Sequence, residues 1–206
     1  TIDFITENQD RPFLAYLSFL TCHSTWSTPE TYQRKYEERG HSEAFAKLLG
    51  MLELMDSEIG RVLQHLTALG LDDDTIVIFM SDNGPNIAGS KRHATDIITD
   101  AEWKLRNNHG FLGNKSKLWQ NGIKSPLFIR WLGVYEPADV DRLVTVTDLF
   151  PTLHDIAGID LPAEGLPLDG RSFRSYLEGD TTSLPEKRAV FAHWYPAWEG
   201  DHYDPV

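Results

Sequence analysis

A long amphipathic helix followed at once by a buried strand constrains this fold more than any other feature. Apolar side chains recur at three- and four-residue steps through residues 42–69, which predicts a helix with Ser42 as N-cap and Gly70 just beyond its end. Gly60 inside this helix costs about 1 kcal/mol against alanine, so we expect close packing there. After an acidic turn, the β-branched residues 75–80 predict a buried strand. Helix, short turn and strand form the second half of a βαβ unit, so we predict an α/β fold with a mostly parallel sheet flanked by helices.

Two further apolar runs predict strands of the same sheet. Residues 13–20 follow a polar stretch that we interpret as a loop, and they predict a strand buried on both faces. Residues 125–131 predict another strand.

A long loop and a second helix complete the predicted elements. Residues 86–114 are polar and aperiodic, which predicts a loop with one helical turn near residues 100–104. Loops of this length in compact domains are often functional. Residues 148–157 predict a helix that Asp148 caps and Gly158 ends.

Composition excludes some classes of partner. The chain has 206 residues, 41% of them hydrophobic, and a formal net charge of −12. A surface this acidic repels phosphate backbones and anionic lipid, so we expect neither nucleic acid nor a membrane as partner. A small anion remains possible, because a local group of cations can reverse the field in one pocket. The single cysteine rules out an internal disulfide.

Asp82 and Asn83 are candidate metal ligands. They end the predicted strand at residues 75–80, at the edge where open α/β sheets bind ligands. A carboxylate and an amide offer oxygens of the kind that Ca²⁺ and Mg²⁺ prefer, although two side chains cannot supply the about six to eight oxygens of a calcium shell. The alternative is a plain turn, since Asp, Asn, Gly and Pro in this order also suit one.

His23 and Lys115 are candidate anion-binding residues. His23 follows the predicted strand at residues 13–20, where an imidazole can contact an anionic oxygen or protonate a leaving group. Lys115 precedes residues 125–131 and can neutralise a sulfate or phosphate oxygen. The alternatives are a solvated histidine and a surface lysine. We interpret Cys22 as a small buried side chain rather than a nucleophile.

Taken together, these segments resemble the type I sulfatases of the alkaline-phosphatase superfamily. The most specific match is residues 69–84, where helix end, acidic turn, strand and Asp82-Asn83-Gly84 follow one another. The other matches, in the order of the family, are residues 13–23, 56–63, 113–131, 146–153 and 168–172. The resemblance covers nearly the whole chain.

The resemblance implies part of an alkaline-phosphatase-like core and a sulfuric ester hydrolase. It implies that residues 1–180 form the C-terminal half of the catalytic core and that residues 181–206 begin a C-terminal subdomain. It also implies that a pair such as Asp82 and Asn83 binds a divalent metal, usually Ca²⁺.

The resemblance implies that His23 and Lys115 are catalytic residues that contact the sulfate. Lys115 is chosen over Lys117 because the family lysine lies five residues before the position that Gln120 occupies here. The family usually has Glu-Gly-Gly where this chain has Gln120-Asn121-Gly122, so one glycine is kept and a carboxylate becomes an amide.

The nucleophile of the family has no counterpart in the 206 residues. It lies in a Cys/Ser-x-Pro-x-Arg motif whose first residue is oxidised to formylglycine, and no such motif occurs here. We therefore expect the formylglycine upstream of Thr1 and expect this chain alone to be inactive. The expected partner is a small sulfated substrate, a carbohydrate or an aryl ester. The alternatives are a phosphodiesterase or phosphonate monoester hydrolase of the same superfamily, and a non-catalytic module that binds sulfated glycan.

Overall fold

The chain has an α/β fold, seen in a computed structural model that describes residues 1–86, 98–106, 109–161, 165 and 167–192. The helices of the described residues are α1 Ile2–Asn8, α2 Glu30–Glu37, α3 Glu43–Ala68, α4 Asp100–Leu105, α5 Gln120–Ile123, a 3₁₀ helix Val146–Asp148, α6 Leu149–Ala157 and α7 Arg174–Leu177. The strands are β1 Val77–Met80 and β2 Leu127–Arg130. In this part of the chain, no helix is both long enough and apolar enough to cross a bilayer.

The long helix α3 confirms the sequence prediction at both ends. The Ser42 hydroxyl accepts a hydrogen bond from the Phe45 N–H at 3.3 Å, and Gly70 follows the helix with a φ of +68°. The prediction for Gly60 was wrong, because no described atom lies within 4 Å of the place where its Cβ would be. The close contact is at Gly50, where a Cβ would lie 2.7 Å from the Thr28 side chain.

The strands β1 and β2 form a two-stranded sheet in the described chain. The Ser81 N–H donates to the Pro126 carbonyl, and the Gly84 N–H donates to the Gly122 carbonyl. Residue numbers therefore increase along one segment as they decrease along the other, so the pair is antiparallel. Both strands were predicted from the sequence, but the predicted parallel pairing is not found between these two.

The prediction of a buried strand at residues 13–20 was wrong. The segment has no regular secondary structure and lies outside the β1–β2 sheet, and Leu14 and Tyr16 are 79% and 89% exposed. A strand needs hydrogen-bonding neighbours and covering side chains, and the described residues provide neither here.

Two short helices pack on α3: α1 replaces the loop predicted before residue 13, and α2 lies where no element was predicted. Helix α1 buries Ile5, and the Thr6 hydroxyl lies 2.8 Å from the His65 ring of α3. Helix α2 lies against the first half of α3, where Lys35 forms an ion pair with Glu53. A hydrophobic core cluster lies around the N-terminal turns of α3 and contains Trp26, Ala44, Phe45, Leu48 and Ile98.

The contacts of the described residues divide the chain into two compact units, one within residues 1–129 and one within residues 130–192. In the second unit, the 3₁₀ helix leads directly into α6, and Gly158 ends α6 with a φ of +64° as predicted. Asp148 is the N-cap residue of α6 as predicted, but its side chain makes no capping hydrogen bond to that helix. Its carboxylate accepts from the N–H groups of Thr145 and Arg171 and from the guanidinium of Arg188. The predicted boundary at residue 180 stays a prediction.

Candidate functional site

Two glycines bring the turn after β1 against the loop that precedes β2. The Gly84 N–H donates to the Gly122 carbonyl at 3.0 Å. A Cβ on Gly84 would overlap the Asn121 carbonyl, and a Cβ on Gly122 would overlap the Lys117 carbonyl. Only residues without a side chain allow this approach, which explains why both turns carry a glycine.

The backbone of Lys115 contacts the turn that contains the candidate metal ligands. Its N–H donates to the Pro85 carbonyl at 2.8 Å, so the lysine backbone contacts the segment that contains Asp82 and Asn83. The Lys115 side chain is half-buried, whereas Lys117 is exposed. Ser116 between them has a φ of +67°, an uncommon value for a residue other than glycine, which marks a tight turn.

Asn121 stabilises this loop where the resemblance led us to expect a glycine. Its buried side chain donates from Nδ2 to the Gly113 carbonyl at 3.0 Å, and its N–H donates to the Leu112 carbonyl at 3.0 Å. These two bonds close the loop from residue 112 to residue 121. The asparagine at this position of the motif therefore adds a side-chain hydrogen bond within the loop that contains Lys115.

The donor set of Asp82 and Asn83 fits a hard cation in part. Asp82 is exposed, and the Asn83 amide donates from Nδ2 to the Gly84 carbonyl at 2.7 Å, which leaves the Asn83 Oδ1 as the acceptor. Among the residues that the structure describes, no group of three or more His, Cys, Asp or Glu side chains is placed to hold a metal. The two oxygens fit a calcium site that takes its remaining ligands elsewhere.

His23 lies in the loop that follows residues 13–20, and its described contacts are local. The ring Nδ1 lies 2.6 Å from the Ser24 carbonyl, and the His23 N–H donates to the Leu20 carbonyl. Among the hydrogen bonds of the described residues, none joins the His23 ring to Asp82 or Lys115. Cys22 beside it is exposed, so its interpretation as a buried side chain was wrong.

The loop after β1 is attached to α3 by Glu102, a residue that the sequence analysis did not single out. Its buried carboxylate accepts from the N–H and hydroxyl of Ser42 at 2.7 and 2.8 Å, and from the N–H and hydroxyl of Thr99 at 2.8 Å each. Burial alone would raise the pKa of Glu102, but the bonds from Ser42 and Thr99 outweigh it and lower the pKa to about 2. One carboxylate thus caps α4 and contacts the cap of α3. Glu102 lies three residues after Thr99, the spacing of a capping box, which was the sequence signal for it.

Glu102 also places Arg106, at the end of α4, beside the loop of His23. The Arg106 guanidinium lies over the rings of Trp26 and Trp103, at 5.6 and 5.5 Å from their centroids. The Trp26 indole N–H donates to the Cys22 carbonyl at 3.2 Å.

Comparison with known proteins agrees with this architecture. The sulfatase family model matches residues 1–159, which is most of the chain. The chain therefore belongs to the sulfatase family.

Individual relatives support the same family. The chain is 28% identical over 204 residues to an uncharacterized sulfatase, YdeN, of Escherichia coli K12, and 30% identical over 177 residues to human steryl-sulfatase. These matches cover 94% and 85% of the chain but only 33% and 28% of the relatives. The chain thus spans about a third of the length of these relatives.

A solved structure extends the comparison to the fold. This structure comes from work on the metabolism of multiple glycosaminoglycans by Bacteroides thetaiotaomicron. It matches this chain with a TM-score of 0.69 and 25% sequence identity. The match covers 86% of this chain and 35% of the solved one. The α/β class is confirmed. The mostly parallel sheet stays a prediction.

Proposed function

We propose that this chain contributes the metal-binding pair and two sulfate-binding residues to a sulfuric ester hydrolase. Asp82 and Asn83 bind the cation, and Lys115 and His23 contact the sulfate of a carbohydrate or aryl ester. Membership of the sulfatase family supports the reaction class. The nucleophile is assigned to no residue of the chain, because the sequence has no Cys/Ser-x-Pro-x-Arg motif.

One contact carries the proposal. The bond from the Lys115 N–H to the Pro85 carbonyl joins two residues that are 30 positions apart in the sequence. Pro85 belongs to the turn that contains Asp82 and Asn83, so the backbone of a cationic residue contacts the turn that carries two oxygen-donating side chains. A site for an oxyanion beside a cation needs this combination.

The proposed roles follow from the charges of the reaction. An anionic nucleophile must approach an anionic ester, and negative charge develops on the leaving oxygen. The Lys115 ammonium contacts the non-bridging oxygens of the sulfate and so reduces the repulsion between the nucleophile and the ester. A protonated His23 contacts the bridging oxygen and assists departure of the alcohol. A bound Ca²⁺ would supply Lewis-acid stabilisation of the negative charge on the ester.

Calcium binding tests the proposal directly. In a calorimetric titration of the full chain with Ca²⁺, Asp82→Ala should weaken binding at least about tenfold, because it removes one charged oxygen ligand. Asp74→Ala is the matched control, since this exposed aspartate lies in the turn before β1. Equal affinities of the wild type and Asp82→Ala would refute the metal assignment.

A further inference from the structure

Positive charge is concentrated in the part of the chain that contains Lys115. Between residues 103 and 135 the sequence has six Lys or Arg residues and no Asp or Glu, although the whole chain has a net charge of −12. These cations are Lys104, Arg106, Lys115, Lys117, Lys124 and Arg130. A basic segment in an acidic protein favours an anionic ligand at that place.

Arg106 differs from an ordinary surface arginine. Its guanidinium lies over Trp26, which is buried, and over Trp103, which packs against the same core cluster. Its Nη1 is screened from solvent and has no hydrogen-bond partner, and no ion pair between Arg106 and a carboxylate is found among the described residues. Burial lowers the pKa of Arg106, with the nearby Cys22 sulfur acting in the opposite direction. A cation that is partly screened from solvent and has no counter-ion among the described residues would stabilise an incoming anion.

The position of Arg106 connects it to the proposed site. Trp26 contacts Arg106 on one side and donates to the carbonyl of Cys22, the neighbour of His23, on the other. Arg106 as a whole remains partly exposed, which leaves a route for a ligand. The capping contacts of Glu102 hold α4 on α3, so the arginine is supported by a rigid element.

We propose that Arg106 binds a second anionic group of the substrate, a sulfate or carboxylate on the same sugar or the next one. This inference rests on the proposed function, in which Lys115 and His23 bind the sulfate that is cleaved. Arg106 is then a specificity residue, and the substrate class is a carbohydrate with at least two anionic groups. The planar guanidinium offers paired N–H donors to such a group, and the tryptophan rings limit the orientations it can take.

A pair of matched ligands tests the inference. The dissociation constants of a disaccharide with one sulfate and of the same disaccharide with two sulfates are measured by calorimetry with the full chain and Ca²⁺. Arg106→Gln should weaken binding of the disulfated ligand about tenfold, the value of one charge-assisted hydrogen bond, and leave the monosulfated ligand unchanged. Arg39→Gln is the matched control, because this exposed arginine also lies over an aromatic ring, that of Tyr36.

Two further variants separate the possible outcomes. Arg106→Lys keeps the charge and should still weaken only the disulfated ligand, so it decides the question if Arg106→Gln unfolds. Lys115→Ala should weaken both ligands. If Lys115→Ala changes neither, the proposed sulfate site is wrong, while the result for Arg106 stands by itself. The inference about Arg106 is overturned if its variants weaken both ligands equally or weaken neither.

Discussion

Replacing Glu102 by glutamine is expected to destabilise the chain because one buried carboxylate serves two helix starts. Four donors from Ser42 and Thr99 converge on it, and the His41 Nδ1 lies 3.7 Å from its Oε1. An amide of the same shape keeps one oxygen but presents N–H groups where the other oxygen accepted. Glu102→Gln should therefore leave buried donors of Ser42 or Thr99 without an acceptor.

The size of the effect follows from the pKa of Glu102. This pKa is about 2 in the folded chain against a reference value of 4.5, and each unit is worth about 1.4 kcal/mol. The ionised carboxylate therefore contributes about 3 kcal/mol to the free energy of unfolding at pH values above 4.5. Because the folded pKa is the lower one, this contribution is lost as the pH falls from 4.5 through 2, and about 1.5 kcal/mol remains near pH 3.

Urea unfolding of the wild type and of Glu102→Gln, at pH 5.5 and at pH 3, measures the contribution of the Glu102 carboxylate to the free energy of unfolding. The difference in the free energy of unfolding should be about 3 kcal/mol at pH 5.5 and about half of that at pH 3. Groups that titrate in both proteins cancel in the difference. Glu58→Gln is the control, because its ion pair with Arg61 lies on the surface and contributes less than about 1 kcal/mol. A difference for Glu102→Gln that is below about 0.5 kcal/mol, or that does not change with pH, would refute the reasoning.

Two other substitutions test the packing of the family motifs. Gly84→Ala should lower the free energy of unfolding by about 1–3 kcal/mol in urea and weaken calcium binding, because its methyl group would overlap the Asn121 carbonyl. Gly60→Ala has open space around it and should instead raise the free energy of unfolding by up to about 1 kcal/mol, because alanine stabilises α3. Equal effects at the two glycines would contradict the structure. Asp148→Asn should cost about 3–5 kcal/mol, because Asp148 is 0% exposed and its loss leaves the Arg188 guanidinium buried without a counter-ion. Glu178→Gln, at an exposed ion pair with Arg174, should cost less than about 1 kcal/mol, and a similar cost at Asp148 would disprove the buried pairing.

Elements that depend on local pattern could be predicted from the sequence. Helix α3 and both of its ends follow from the apolar period, the Ser42 cap and Gly70. Strand β1 and helix α6 were predicted for the same reason. Asp82 and Asn83 could be chosen as candidates because they end a strand, although their metal stays a prediction.

Contacts between distant segments could not be predicted in this way. The sequence placed close packing at Gly60, whereas the structure has it at Gly50, because only the position of Thr28 decides which glycine faces a neighbour. The same is true of residues 13–20, which have the composition of a buried strand. Composition cannot say whether a hydrogen-bonding neighbour is present, and among the described residues none is.

By itself, the sequence determined the family, the α/β class and the residue types available for a cation and an oxyanion. Only the tertiary structure decided that Lys115 contacts the turn of Asp82 through Pro85, that Glu102 joins two helix starts, and that Arg106 lies over two tryptophan rings. Residue type and spacing fix which hydrogen bonds and charges a segment can offer. Which of them meet depends on chain closure over tens of residues, and that is settled by packing rather than by local pattern.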